Sequence, residues 1–398
     1  MKKLSAWSIQ FLGLGTALLS SLFMLRLLID SSFRMAYSFV PQIAAGLEVS
    51  VTVFGWLLMV RSSSAILSPV IGSLADRYGR RNVMIFALFS QAFGMFGIAF
   101  LKGWWAALPI FLSGLAVNSF LPAQQAYISD MVPFERRGRA LASVDSAFAI
   151  SGIVAMPLIG WFLDVYSWQT PFLILSAFGG LAAILTWRFL PEVDQGEKDQ
   201  KRALAGMGSL LIQRNIQVSL MVAALLFTGV GIFMTFWSIW LSADFGFDSV
   251  DLGLMATRIG VAEMFGVILA ALIVDKLGKQ RSSLLGVAMA AIFFGIIPLS
   301  NGNIGWIRTS LVLTVFWLEY SIVSLFPLYG EQAPEARATI FALVALANGV
   351  GLAAGPVLAT TLWESHGLTT ITTVATLSLV LCALLIGFFL REKVDNKN

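Results

Sequence analysis

The chain has 398 residues, 58% of them hydrophobic and only 12% charged, with 26 Lys and Arg against 22 Asp and Glu and a single histidine. A soluble domain carries about 25% charged residues, so this composition excludes a water-soluble globular protein and predicts a polytopic membrane protein. The net charge of +4 is topology rather than a nucleic-acid footprint. Threaded as twelve helices with both termini cytoplasmic, the chain puts twenty basic residues inside and only Lys102 and Arg308 outside.

In chain order the membrane-length windows are 17–43, 51–73, 82–101, 105–128, 139–163, 169–190, 215–241, 250–273, 282–300, 307–329, 338–363 and 370–390. Each is close to the ~20 residues that cross the hydrocarbon. Met1-Lys2-Lys3 resembles a signal n-region, but no small-residue cleavage site precedes Arg26, so an uncleaved first helix is expected. Residues 9–25 are apolar too, so either the first helix begins earlier or it follows an interfacial segment bearing Trp7 and Phe11. The one long polar break, 191–209, mixes both signs of charge and predicts a cytoplasmic linker. The expected domains are therefore an N-terminal six-helix bundle (1–191), a linker (192–209) and a C-terminal six-helix bundle (210–398).

Hydrolytic and cofactor chemistry find no support. His366 is the only histidine and falls in an outer loop, and there is neither an HExxH nor a GxxxxGK[ST] pattern. Cys382 is the only cysteine, so no intrachain disulfide can form. No metal, no cofactor and no nucleic-acid partner are expected.

The most informative loop is Gly72-Ser-Leu-Ala-Asp76-Arg77-Tyr-Gly79-Arg80-Arg81, a short basic turn between two apolar windows. A weaker copy ends Asp275-Lys276-Leu277-Gly278-Lys279-Gln280-Arg281, with its aspartate 199 residues after Asp76. Asp130, Pro133 and Arg136 recur as Glu331, Pro334 and Arg337 at an offset of 201, and Pro157 recurs as Pro356 at 199. Two parallel six-helix repeats place a substrate near the midplane between them.

The spacing G-x-x-x-D-R-x-G-R-R resembles the loop between helices 2 and 3 of the major facilitator superfamily, and the resemblance extends over essentially the whole chain. It implies an all-α integral membrane protein of twelve transmembrane helices in two pseudo-symmetric six-helix bundles, working by alternating access. It also implies a cytoplasmic gate. Gly72 would let the second helix approach the eleventh, and Asp76 would face the positive start of that helix. Arg77 and Gly79 belong to the same loop, and Arg80 would pair with Asp130 at the end of helix four. Asp275 and Gly278 are their counterparts, and the weaker second copy predicts a looser latch there. Two departures set the chain apart from proton-driven drug antiporters of the family. Its fifth helix reads Met156-Pro157-Leu-Ile-Gly160-Trp161 rather than G-P-x-x-G-G, and Ile110 replaces the arginine four residues before Gly114.

Inside the membrane windows stand Arg26, Arg34, Arg61 and Arg258 against Asp30, Asp145, Glu263 and Glu319. Each costs at least ~2.5–3.5 kcal/mol at a helix centre, so they should face the interior and be paired. Arg26, Asp30 and Arg34 recur every four residues and line one helix face. That stripe is read in two ways: an ion-pair ladder that fixes packing, or a site in which Asp30 takes one arginine while the other, with Arg61, offers donors to an anionic or zwitterionic solute. The candidate substrate contacts are Asp30, Arg34, Arg61, Tyr37, Asn118 and Gln124. A cationic substrate at Asp30 or Glu263 is the alternative. Glu263 and Glu319, with Asp30, are the candidate proton carriers, because burial lets a carboxyl load and release protons near neutral pH. Asp145 reads as gate or packing.

These features predict a bacterial inner-membrane secondary transporter of a small organic solute, monomeric in the bilayer, coupled to H+ and leaning towards efflux. The alternatives are an uncoupled facilitator or importer of an organic anion, or a transport-dead sensor, for which the tail 391–398 is short.

Overall fold

The computed structural model describes residues 14–192, 211–300, 302–333, 336–390 and 392. The segment with Trp7 and Phe11 and nearly all of the expected linker lie outside the described residues. Among the described residues there are helices and turns and no strand. The α-helices are α1 Thr16–Ser38, α2 Val40–Gly46, α3 Val51–Ser63, α4 Ser68–Tyr78, α5 Arg80–Phe100, α6 Ala107–Met131, α7 Phe134–Asp145 and α8 Ala147–Ile150. They continue as α9 Met156–Val165, α10 Thr170–Phe189, α11 Arg214–Phe245, α12 Ser249–Leu277, α13 Lys279–Gly295, α14 Ile304–Gln332 and α15 Arg337–Phe389.

Among the described residues nine helices are long and apolar enough to cross a membrane. The last of them holds two passages. α15 has 53 residues and is broken at Gly367, with φ 72 and ψ −168. At ~1.5 Å per residue a helix of that length would run about 80 Å, more than twice the ~30 Å hydrocarbon.

Three windows are less regular than their apolar composition suggests. The first, 17–43, is two helices, because Pro41 has no N–H and disfavours helical geometry before it, and Phe39 leaves the helix at φ −124, ψ 39. The second continues to Tyr78 but tightens to a 3-10 turn at Ser64–Leu67, closed by Ser68 N–H to the Ala65 carbonyl. Ser63 and Ser64 compete there by donating their hydroxyls to the Val60 and Arg61 carbonyls, both at 2.7 Å. The fifth begins early, at Phe134, and widens to a π-helix at Ser151–Ala155, a device often found at functional sites.

The chain forms two compact units, Met1–Ser50 with Val60–Lys198 and Phe247–Gly260, and Val51–Met59 with Asp199–Gly246 and Val261–Asn398. In the first unit, Met84, Leu88, Phe120 and Tyr127 are fully buried around Leu22 and Ile29 of α1. The start of α12 packs on α9 through glycines: a Cβ on Gly160 would lie 2.3 Å from the Ser249 carbonyl oxygen. In the second unit the start of α3 packs on α15, where Glu364 Oε1 accepts the Thr52 backbone N–H at 3.1 Å. There α11 and α15 meet backbone to backbone at Gly231, Gly351 and Gly355. Such small-residue contacts let membrane helices gain the van der Waals packing that holds them together.

The repeat seen in the sequence is also written in the backbone. Glu48 (φ 58) and Gly246 (φ 66), Gly79 (φ 96) and Gly278 (φ 87), and Gly103 (φ 56) and Gly302 (φ 79) form three left-handed pairs. They are separated by 198, 199 and 199 residues.

Gly351→Leu is expected to abolish folding, because a Cβ there already meets the Ala224 carbonyl oxygen at 2.2 Å and the helix backbones would have to part. Gly180→Leu, where a Cβ meets nothing within 4 Å, is the control. Size-exclusion profiles of the two purified variants should show a monodisperse peak for the second only.

Candidate functional site

The charged stripe of α1 is held against the broken fifth passage, entirely within the first unit. Arg26 Nε donates to Asp30 Oδ2 at 2.8 Å, and Arg26 Nη1 reaches Asp145 Oδ1 at 2.6 Å. Asp30 is 1% exposed, whereas 40% of the Asp145 side chain is accessible. One turn on, Arg34 Nε donates to the Phe148 carbonyl at 3.1 Å, and its guanidinium carbon stands 3.9 Å above the Phe148 ring. The same carbonyl accepts the Ser151 hydroxyl at 2.7 Å, where the π-helix begins. Two arginines and two aspartates thus form a charge-balanced seam between α1 and the α7–α8 region.

Arg61 is placed differently. It is 3% exposed, its Nε donates to Ser113 Oγ at 3.2 Å, and its guanidinium carbon lies 4.9 Å from the Phe33 ring centre and 5.7 Å from that of Tyr37. Its Nη2 makes no hydrogen bond among the described residues. Asn118 Nδ2 donates to Ser64 Oγ at 2.8 Å, three residues along from Arg61. Gln124 Nε2 bonds the Leu22 carbonyl at 2.7 Å, tying α6 to α1. Of the six candidate substrate residues, the structure gathers Arg61 and Tyr37 in one place. It ties Asp30 and Arg34 to the seam, and it gives Asn118 and Gln124 bonds of their own.

In the second unit Glu263 is 5% exposed on α12, and Glu319 is partly buried on α14. Gly266, one turn after Glu263, lets the helices approach: a Cβ there would sit 2.5 Å from the Phe316 carbonyl oxygen and 3.2 Å from Glu319 Cβ. The two carboxyls therefore belong to helices that cross beside them.

The basic loops are built alike in the two units. Gly79 and Gly278 adopt left-handed φ between successive helices, which glycine permits without a Cβ penalty. Arg80 then meets Asp76 Oδ1 at 2.5 Å and Asp130 Oδ2 at 3.3 Å, and its counterpart Lys279 pairs with Glu331. The next residues cap the sixth helix of each repeat. Arg81 bonds the Thr186 and Trp187 carbonyls and Glu192, and Gln280 bonds the Ile386 and Gly387 carbonyls. The second copy, expected to latch more loosely, has its own ion pair. Arg77 is exposed beside the Tyr78 ring, and Asp275 is exposed. A Cβ on Gly72 would meet nothing within 4 Å, so no close approach explains that glycine in this structure.

Ser113 and Phe148 were not singled out by the sequence, and Glu331 and Arg81 were named there without a partner or role of their own. The 201-residue offset already marked Glu331 as the mate of Asp130, and Arg81 stands inside the loop motif. The Phe148 carbonyl gave no sequence signal, because it acts through its backbone.

A groove of about 1050 Å³ between α1, α9 and α10 is lined by Met24, Leu28, Leu158, Phe162, Phe178 and other apolar side chains, and by no charged residue. It suits a lipid tail better than a polar solute.

The family model described as Major Facilitator Superfamily matches residues 22–335 and 219–398. The chain belongs to the major facilitator superfamily. It is thus an integral membrane transporter and not an enzyme. Among curated relatives it is 24% identical over 345 residues to a multi-drug resistance efflux pump PmrA homolog of Lactococcus lactis, covering 82% of this chain and 84% of that one. It is 25% identical over 365 residues to the sialic acid transporter NanX of Escherichia coli, covering 87% and 86%. Among solved structures it resembles a bacterial homolog of the human lysosomal transporter Spinster in an inward-facing, unoccupied conformation. The TM-score is 0.76 at 15% identity, over 93% of this chain and 96% of that one.

Arg26→Met leaves the buried Asp30 carboxylate without its partner and should cost about 3–5 kcal/mol, read as a fall in the melting midpoint of the detergent-purified transporter. Asp145→Asn, at the accessible end of the same network, should cost about 1 kcal/mol or less. The double change Arg26→Met with Asp30→Leu should recover most of the loss. A double variant as unstable as Arg26→Met alone would mean that the pair is not what holds the seam.

Proposed function

We propose that this superfamily member is a proton-coupled carrier that moves a small organic solute across a bacterial cytoplasmic membrane by alternating access, with Glu263 and Glu319 as the proton-carrying carboxyls. The observation that carries this reading is the Gly266 crossing, which brings the buried Glu263 and the partly buried Glu319 onto adjoining helix surfaces. Carboxyls inside the membrane are costly to keep, and proton relays are one place where such groups are found. Asp30 already accepts Arg26, so in this reading it positions α1 rather than shuttling the proton. Likeness to an efflux pump homolog leans the direction towards export. The loop pairs Arg80–Asp130 and Lys279–Glu331 serve as the cytoplasmic gate elements, and the carrier acts as a monomer in the bilayer.

The second reading, import or facilitated passage of an organic anion, is favoured by the unpartnered Nη2 of Arg61 and by likeness to a sialic acid transporter.

Glu263→Gln, Glu319→Gln and the double variant should be reconstituted in liposomes with a pH-sensitive dye inside and challenged with a panel of drugs and organic acids. Solute-triggered proton movement should fall at least tenfold in the double variant, while solute exchange without a gradient persists. Undiminished proton movement in the double variant would remove both residues from the coupling role.

A further inference from the structure

Among the described residues, Arg61 stands apart from the other arginines of the membrane windows. Arg26 has two carboxylates and Arg34 has the Phe148 carbonyl, while Arg258 is exposed. Arg61 is buried, and among the described residues no Asp or Glu pairs with it. Its surroundings are neutral: the Ser113 hydroxyl, the neighbouring Tyr37 hydroxyl and the faces of two rings. Aromatic faces attract a cation but leave its N–H groups without acceptors, and a buried unpaired charge is among the most expensive features a protein can keep.

The guanidinium is also held in place. A Cβ on Gly114 would lie 2.1 Å from the Arg61 carbonyl oxygen, so α6 rests directly on the Arg61 backbone. Ser64 Oγ donates to that same carbonyl at 2.7 Å, and Asn118 holds Ser64 in turn. Nε is fixed on Ser113, which leaves Nη2 as the donor still to be satisfied. A preorganised, dehydrated donor of this kind gives far more binding than the same group in water.

We infer that Arg61 is the receptor for the carboxylate of a small monoanionic solute, with Phe33 and Tyr37 forming the wall against which its flat, apolar body lies. The inference rests on the reading of the chain as a carrier of small organic solutes and names the class. The planar fork of arginine matches a carboxylate, and the charge does not vanish with pH. A single negative charge fits best, because the neighbouring seam of Arg26, Arg34, Asp30 and Asp145 is balanced and lends no second positive charge. The wall is aromatic: the Phe33 and Tyr37 ring centres are 5.1 Å apart, and the Phe33 ring is only partly buried.

The test uses the full-length protein in lipid nanodiscs, with its melting midpoint followed against benzoate, benzyl alcohol, benzylamine and phenyl phosphate. Benzoate should raise the midpoint in a saturable way, and the other three should act at least tenfold more weakly. Arg61→Met should melt at an equal or higher temperature without ligand, since an unpaired buried charge is gone, and should lose the benzoate response. Arg61→Lys, which keeps the charge but not the fork, should retain the response with roughly tenfold weaker affinity. Phe33→Ala should weaken benzoate several-fold and leave acetate unchanged. Equal responses to benzoate and benzylamine, or an Arg61→Met variant that still responds, would overturn the assignment. A wild type that ignores benzoate while still moving solutes in liposomes would also overturn it, and would leave the transporter reading intact. Loss of coupling in the Glu263 and Glu319 variants with benzoate binding preserved would show the two sites to be separate.

Discussion

The structure is governed by the cost of putting charge where there is no water. Every ionised group in the hydrocarbon must find a partner or do work, and that requirement decides how the first helix docks. Arg26 cannot be buried alone, so α1 meets the fifth passage at Asp145, and Arg34 meets it again at the Phe148 carbonyl. The fifth passage answers by abandoning regular geometry, breaking after Asp145 and widening at Ser151–Ala155. A straight α-helix uses its carbonyls internally; an irregular one can offer them to a side chain. The seam is therefore both a packing device and the reason the fifth helix is not straight.

The same requirement runs through the two basic loops. In each unit a glycine with left-handed φ is followed by one residue that pairs with an acid at the end of the fourth helix of its repeat, and by another that satisfies carbonyls at the end of the sixth. Helix C-termini leave four carbonyls without partners, so Arg81 and Gln280 solve one problem with different side chains. Four helix ends per unit are tied by three consecutive residues, which stiffens each repeat at its basic loop.

Much of this was legible in the sequence. The positive-inside bias, the 199-residue spacing and the basic loop give the fold class, because they arise from hydrophobic length and charge placement, which are one-dimensional properties. Register inside the membrane was less legible. The four-residue spacing of Arg26, Asp30 and Arg34 marks a face but not its partner, and nothing in the sequence says that Arg34 reaches a backbone carbonyl. The break at Phe39 was available from Pro41, but the apolar run across it argued for one helix. The 3-10 turn after Ser62-Ser63-Ser64 depends on hydroxyls folding back on carbonyls, a choice the chain makes only in context. Arg61 was visible as a charge; that among the described residues it would meet the Ser113 and Tyr37 hydroxyls and two rings, and no carboxylate, was not.

The three left-handed pairs provide an internal ruler between the repeats. At 199 residues, Asp30, Arg34 and Arg61 correspond to Gly229, Phe233 and Gly260, and Glu263 corresponds to Ser64. At the 201-residue offset of the fourth helix, Glu319 corresponds to Asn118. Ser64 and Asn118 are hydrogen-bonded to each other, so one repeat holds a neutral polar pair where the other holds two carboxyls. The basic loops repeat their charges, Arg80 with Asp130 and Lys279 with Glu331, but these five positions inside the membrane windows do not carry a charge in both copies. Of these five, Asp30, Arg34 and Arg61 lie in one copy and the candidate proton carriers Glu263 and Glu319 in the other. Backbone and loop pairs are doubled in this chain; these charges within the membrane are not.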